Sequence, residues 1–113
     1  MDRPLGPRQE DRAAKAVAEV VYSARALANL ERALRFLADR DPRTAVTAAR
    51  AIRTAVEALA AHPFLGRPIR GDLRELVISF GRTGYVALYR FVPALQEVRI
   101  LVIKHQRELR FRT

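Results

Sequence analysis

Apolar residues recur along this chain first with a helical period and then with a strand period, and the change falls near residue 63. Val17, Ala18, Glu19, Val20, Val21 and Tyr22 make a β-branched run that predicts a short first strand. Ser23 then stands where a helix N-cap belongs. Leu27, Leu30, Leu34 and Leu37 follow at i, i+3, i+7 and i+10, one apolar stripe, with Glu31 and Arg35 as an i,i+4 pair on the wet side. This helix should end between residues 38 and 40.

Asp41-Pro42 opens a second helix, with Asp as N-cap and Pro at the first helical position. Ala45, Ala49, Ile52, Val56 and Leu59 continue one face, and Arg43, Arg50, Arg53 and Glu57 lie off it. His62-Pro63 stops it, because the residue before a proline disfavours the helical region. So short a link makes the two helices antiparallel neighbours.

Beyond residue 63 comes an arginine-rich loop, Gly66-Arg67-Pro68-Ile69-Arg70-Gly71-Asp72, and then a period of two. Residues 73–80 predict a strand with Arg74, Leu76, Ile78 and Phe80 on one face and Leu73, Glu75, Val77 and Ser79 on the other. Gly81-Arg82-Thr83-Gly84 is a two-glycine hairpin signal, residues 85–92 the next strand, Pro93-Ala94 a turn, and residues 97–103 the last strand. The fold class is therefore α+β: an N-terminal strand and an α-helical hairpin packed on a small antiparallel β-sheet. Residues 1–14, with two prolines, a glycine and no period, read as a disordered lead-in, and residues 15–113 as a single domain.

Composition narrows the chemistry. The chain has no cysteine, so disulfides and thiolate metal sites are excluded, and two histidines, His62 and His105, make a metal site improbable. No apolar run approaches the ~20 residues that a membrane helix needs. No phosphate-binding glycine loop is present, and Gly81-Arg82-Thr83-Gly84 joins two strands rather than opening a helix. Ser79, His105 and Asp72 make a catalytic triad only on paper. No cofactor is implied.

The net charge is +9, carried almost wholly by arginine, since Lys15 and Lys104 are the only lysines. Such a charge points to an anionic partner, nucleic acid or an acidic protein segment. Arg67 and Arg70 in the loop, Arg74 at the start of a strand, Arg90 further on, and Lys104, His105 and Arg107 at the exit of the last strand are the candidate anion-binding residues. If strand ends converge, these cations share one rim. The plainer reading is a solvated rim with Arg74 paired to Glu75 or Glu108, which contributes little. Tyr85 and Tyr89 share a strand face and read as core before they read as base-stacking residues.

Gly66-Arg67-Pro68, Leu73-Arg74-Glu75-Leu76-Val77-Ile78, Gly84-Tyr85-Val86-Ala87-Leu88-Tyr89-Arg90 and Ile103-Lys104-His105-Gln106-Arg107-Glu108, in this order and spacing, resemble the RelE/ParE superfamily of bacterial toxin–antitoxin toxins. The resemblance implies a cytoplasmic toxin from a plasmid-stabilisation module. Its antitoxin would be a protein that lays an extended or helical, often acidic segment over it, and operator DNA would be reached only through that antitoxin. RelE-like members cut mRNA on the ribosome; ParE-like members poison DNA gyrase. The basic residues of the nuclease branch fall here on Val77, Ser79 and Val86, only Arg107 matches, and the chain ends in Phe111-Arg112-Thr113 without a tyrosine. Attack by a 2′-hydroxyl needs a base, an acid and a clamp on the phosphate, and valines supply none. A non-catalytic, gyrase-binding toxin is thus the expectation. The alternatives are a ribosome-dependent mRNA endonuclease using Arg74, His105 and Arg107, or an inactive toxin that only binds its antitoxin.

Overall fold

A computed structural model describes residues 17–81 and 83–106. The elements run β1 (Glu19–Tyr22), α1 (Ala24–Arg40), α2 (Pro42–Ala61), β2 (Arg67–Arg70), β3 (Leu73–Phe80), β4 (Thr83–Val92), a 3-10 turn (Pro93–Leu95) and β5 (Glu97–His105). The five strands form one sheet in the order β1-β5-β4-β3-β2. It is antiparallel from β2 to β5, and β1 adds to β5 in parallel. The α+β architecture read from the sequence stands. Two features differ from that reading. The arginine-rich loop contains a fourth antiparallel strand, β2, and the first strand is parallel to its neighbour.

The helices begin where the sequence placed them. The Ser23 hydroxyl accepts from the Ala26 N–H at 2.9 Å and donates to the Leu101 carbonyl at 2.9 Å, so one side chain caps α1 and ties it to β5. Leu101 is the residue left over at a β-bulge, because Leu88 pairs with Val102 and Tyr89 with Ile100. Further along α1, Asn29 Oδ1 accepts from the Ile103 N–H at 3.1 Å. These two side chains thus bond the edge of β5 beyond the end of β1. Asp41 alone links the helices: its N–H bonds the Leu37 carbonyl, and its carboxylate accepts from the Arg43 N–H and the Thr44 hydroxyl.

The core lies between the hairpin and one sheet face. Ile52, Val56 and Leu59 of α2 meet Leu76, Ile78, Tyr85, Ala87, Tyr89, Val98 and Ile100 of the sheet. In α1 the fully buried residue is Ala26, with Leu30, Ala33 and Leu37 packed beside it, while Leu27 of the expected stripe is 46% exposed. The inner stripe of α1 is therefore rotated toward its small residues, which lets the helix lie close to the sheet. Tyr85 and Tyr89 are core, as their shared face suggested.

Candidate functional site

Three residues fix the geometry between α2 and the sheet. Tyr89 is fully buried; its hydroxyl donates to the Pro63 carbonyl at 2.8 Å and accepts from the Gly66 N–H at 2.8 Å. The Arg74 guanidinium donates to the Gly66 carbonyl at 2.7 Å and the Phe64 carbonyl at 3.2 Å, and lies 4.8 Å from the centre of the Phe64 ring. Arg74 therefore closes the turn after α2 and holds β2 against β3. The ion pairs considered for it do not form with Glu75, whose carboxylate is taken by Arg67; Glu108 lies outside the described residues.

Burial pushes the Tyr89 phenol above its ordinary pKa, opposed by the Gly66 N–H bond and the Arg74 charge. Tyr22 moves the same way, through burial and the Glu57 carboxylate, with Arg53 opposing. Both phenols keep their protons in the folded state at a pH where the unfolded chain has lost them. Their contribution is thus complete below the unfolded tyrosine value of about 10 and is lost as pH rises through the folded values. The melting temperature should fall once pH exceeds about 10, and Tyr89→Phe should make that decline shallower. Equal slopes in the two proteins, followed by circular dichroism, would refute the assignment.

The sheet face turned away from the helices carries most of the remaining cations. Register places Arg70 beside Leu73, Leu73 beside Arg90, and Arg90 beside Arg99, so three arginines lie along one row across the sheet. Arg99 was not among the residues singled out from the sequence; only the β4–β5 register brings it there. Like charges directly opposite each other disfavour pairing, and carboxylates relieve this: Asp72 lies 3.5 Å from Arg90 and Glu97 2.8 Å from Arg99. Arg67 is paired with Glu75. Arg70 makes no ion pair among the described residues.

Lys104 and His105 do not join this group. In a meander β3 begins at the end of the sheet opposite to that where β5 finishes. Arg74 is level with Tyr89 and His105 with Tyr85, four residues apart along β4, so roughly 13 Å along the strand at ~3.3 Å per residue. Both belong to the helix-facing rows, and the His105 ring meets Thr83 Oγ1 through Nε2 at 2.6 Å and packs edge-on against Tyr85. Arg107 lies outside the described residues. On the open face Val77, Val86 and Lys104 form a single row, with Val77 51% exposed and Val86 buried. Two of the three positions that correspond to basic residues of the nuclease branch, Val77 and Val86, are therefore cross-strand neighbours and apolar.

Between the helices runs an apolar groove of about 410 Å3, lined by Val20, Leu27, Leu34, Ile52 and Val56 with Arg53 and Glu57 at its border. Among the described residues no helix is long and apolar enough to cross a membrane.

The sequence model of the family described as the ParE toxin of the type II toxin–antitoxin system parDE matches residues 20–110. A curated relative, "Toxin RelE3" of Caulobacter vibrioides, is 46% identical over 54 residues, which is 48% of this chain and 56% of the relative, so the match spans little more than half of that protein. Among solved structures, the chromosomal ParDE system of P. aeruginosa superposes with a TM-score of 0.63 at 22% identity, covering 80% of this chain and 97% of its counterpart. The toxin–antitoxin complex RelBE2 of Mycobacterium tuberculosis gives a TM-score of 0.52 at 25% identity, covering 80% and 99%. A helical hairpin on a sheet of this order, together with a match over four-fifths of the sequence, places the chain in the ParE toxin family of type II toxin–antitoxin systems, within the RelE/ParE superfamily.

Proposed function

We propose that this chain is a cytoplasmic, growth-inhibiting toxin that acts by binding DNA gyrase rather than by cutting RNA, and that a cognate antitoxin neutralises it. The observation that carries this reading is the Val77–Val86–Lys104 row. RNA cleavage requires a base, an acid and a phosphate clamp within reach of one phosphodiester. Here the centre of the open face holds two valines. Arg74 is spent on backbone carbonyls, and His105, like Arg74, is on the helix-facing side, at the other end of the sheet.

Two surfaces support a protein partner. The row Arg70–Arg90–Arg99, with Arg67 beside it, complements an acidic antitoxin, and Lys104 extends the positive field along the same face toward the other end. The interhelical groove, with Leu27 46% exposed at its mouth, suits the apolar face of a partner helix. Operator DNA is reached through the antitoxin.

Pulse labelling after induction of the toxin without antitoxin tests the target. DNA synthesis should fall within minutes, before protein synthesis does. If protein synthesis fell first, the chain would be a ribosome-dependent endonuclease and Arg107 the residue to substitute. Induction without growth arrest would leave only antitoxin binding.

A further inference from the structure

One end of the sheet gathers the turn after α2, the start of β1, the end of β4 and the start of β5. The Ala18 N–H bonds the Ala60 carbonyl there, Glu19 stands beside Glu97, and Glu97 beside Val92. β3 starts at the same end, with Leu73 opposite Arg90. Among the described residues nine large apolar side chains are exposed, and five of them, Val17, Phe64, Leu65, Ile69 and Leu95, belong to this end. The other four are scattered over the helical hairpin and the open face. Single exposed apolar residues are ordinary on a protein surface, whereas a group of them marks a contact.

Phe64 is both exposed and firmly held. It is 62% exposed, yet its ring packs edge-on against Phe91 at 5.5 Å and lies 4.8 Å from the Arg74 guanidinium. The backbone on either side is fixed. The Pro63 carbonyl accepts from the Tyr89 hydroxyl, the Phe64 carbonyl from Arg74, and the Leu65 N–H donates to the His62 carbonyl at 3.1 Å. A buried phenol and a half-buried guanidinium are thus committed to a turn whose apolar side chains face solvent. An exposed aromatic ring that cannot wander has already lost much of the freedom that binding would take, as interface anchors have. Arg70, next in the chain to Ile69, makes no ion pair among the described residues.

We infer that Phe64, with Leu65 and Ile69 around it, is the anchor by which the toxin seats on its protein target; the inference rests on the gyrase reading above. The partner surface is an apolar pocket for the Phe64 ring with a carboxylate at its border for Arg70, an aromatic centre and a charged rim as protein interfaces have. β2, which carries Ile69, holds Pro68 and so lacks a backbone donor there. The contact is therefore made by side chains, as between two folded proteins, and not by addition of a strand. The arginine row and the interhelical groove assigned to the antitoxin leave Phe64, Leu65 and Ile69 free. Arg70 belongs to both surfaces, so a bound antitoxin takes from the target the charge that borders the anchor.

The test measures inhibition of DNA supercoiling by purified gyrase with the purified full-length toxin, beside the toxin's affinity for its full-length antitoxin and its melting temperature. Phe64→Ser removes the ring and keeps the backbone bonds of the turn. Leu65→Glu sets a carboxylate against an acidic partner. Each should raise the toxin concentration needed for half-inhibition by roughly thirtyfold, the scale for truncating a central aromatic anchor, while antitoxin affinity stays that of the wild type. Undiminished inhibition by both variants overturns the anchor and leaves the gyrase reading intact. A matching loss of antitoxin affinity assigns the patch to the antitoxin, and a wild-type dimer that Leu65→Glu dissociates assigns it to a second copy of this chain; either result overturns the inference. If Phe64→Ser does not fold, Leu65→Glu decides. A wild-type toxin that binds its antitoxin but leaves gyrase uninhibited overturns the anchor and the gyrase reading together.

Discussion

Gly66→Ala is expected to lower stability by roughly 3 kcal/mol or more, within the range for forcing extra volume into a filled site that also loses a buried hydrogen bond. A Cβ at residue 66 would stand 2.6 Å from Tyr89 Cε1, 2.7 Å from its hydroxyl oxygen and 2.7 Å from the Glu75 carbonyl oxygen. None of these atoms has freedom to retreat. The Tyr89 ring is fully buried, and the Glu75 carbonyl belongs to the β3 backbone, whose position β4 fixes. Relief requires the turn after α2 to move outward, which separates the Gly66 N–H from the Tyr89 hydroxyl and draws the Gly66 carbonyl away from Arg74. Urea unfolding of the variant should show a clearly lower midpoint at unchanged slope. A midpoint within error of the wild type would mean that the turn is not locked as described.

Ile52→Ala should cost about 2–5 kcal/mol. Ile52 is 1% exposed and sits in the core where α2 faces the sheet, while also lining the interhelical groove. Its neighbours are anchored on three sides, by the Asp41 cap, the Ser23 cap and the sheet, so collapse around the lost side chain is limited. Set against a typical domain stability of about 5–15 kcal/mol, such a loss should lower the abundance of folded protein several-fold in cells and so weaken the proposed growth inhibition, although Ile52 carries no charge and no chemistry. Denaturation of the purified variant checks this, and near-native stability would be the contrary result. Loss of toxicity in a core variant is therefore no guide to the target-binding surface.

The elements with a strong period or a strong cap were legible in the sequence. Ser23, Asp41-Pro42 and the glycine hairpin each act through neighbours a few residues away, so local composition carries the whole signal. β2 was not legible, because four exposed residues that include a proline and two arginines offer no alternation; pairing with β3 alone makes them a strand. The candidate site was legible in kind but not in place. Arg74 looked like a surface cation until the Phe64 and Gly66 carbonyls turned toward it. The separation of Arg74 from His105, and the entry of Arg99 into the arginine row, follow from strand direction and a one-residue bulge. Neither is encoded near the residues concerned.

The parallel strand β1 has a consequence for solubility. Val98, Arg99, Ile100, Leu101, Val102 and Ile103 make the most β-prone hexamer of the chain, with one charge and no proline. Among the described residues, the four residues of β1, the bonds from the Glu19 N–H to the Gln96 carbonyl and from the Ser23 N–H to the Ile100 carbonyl, and the two α1 side chains keep its outer edge from a second copy. β1 is thus a guard strand. Were it peeled away, the hexamer would become an edge template for intermolecular pairing and fibrous precipitation, in a protein whose high positive charge otherwise keeps its copies apart.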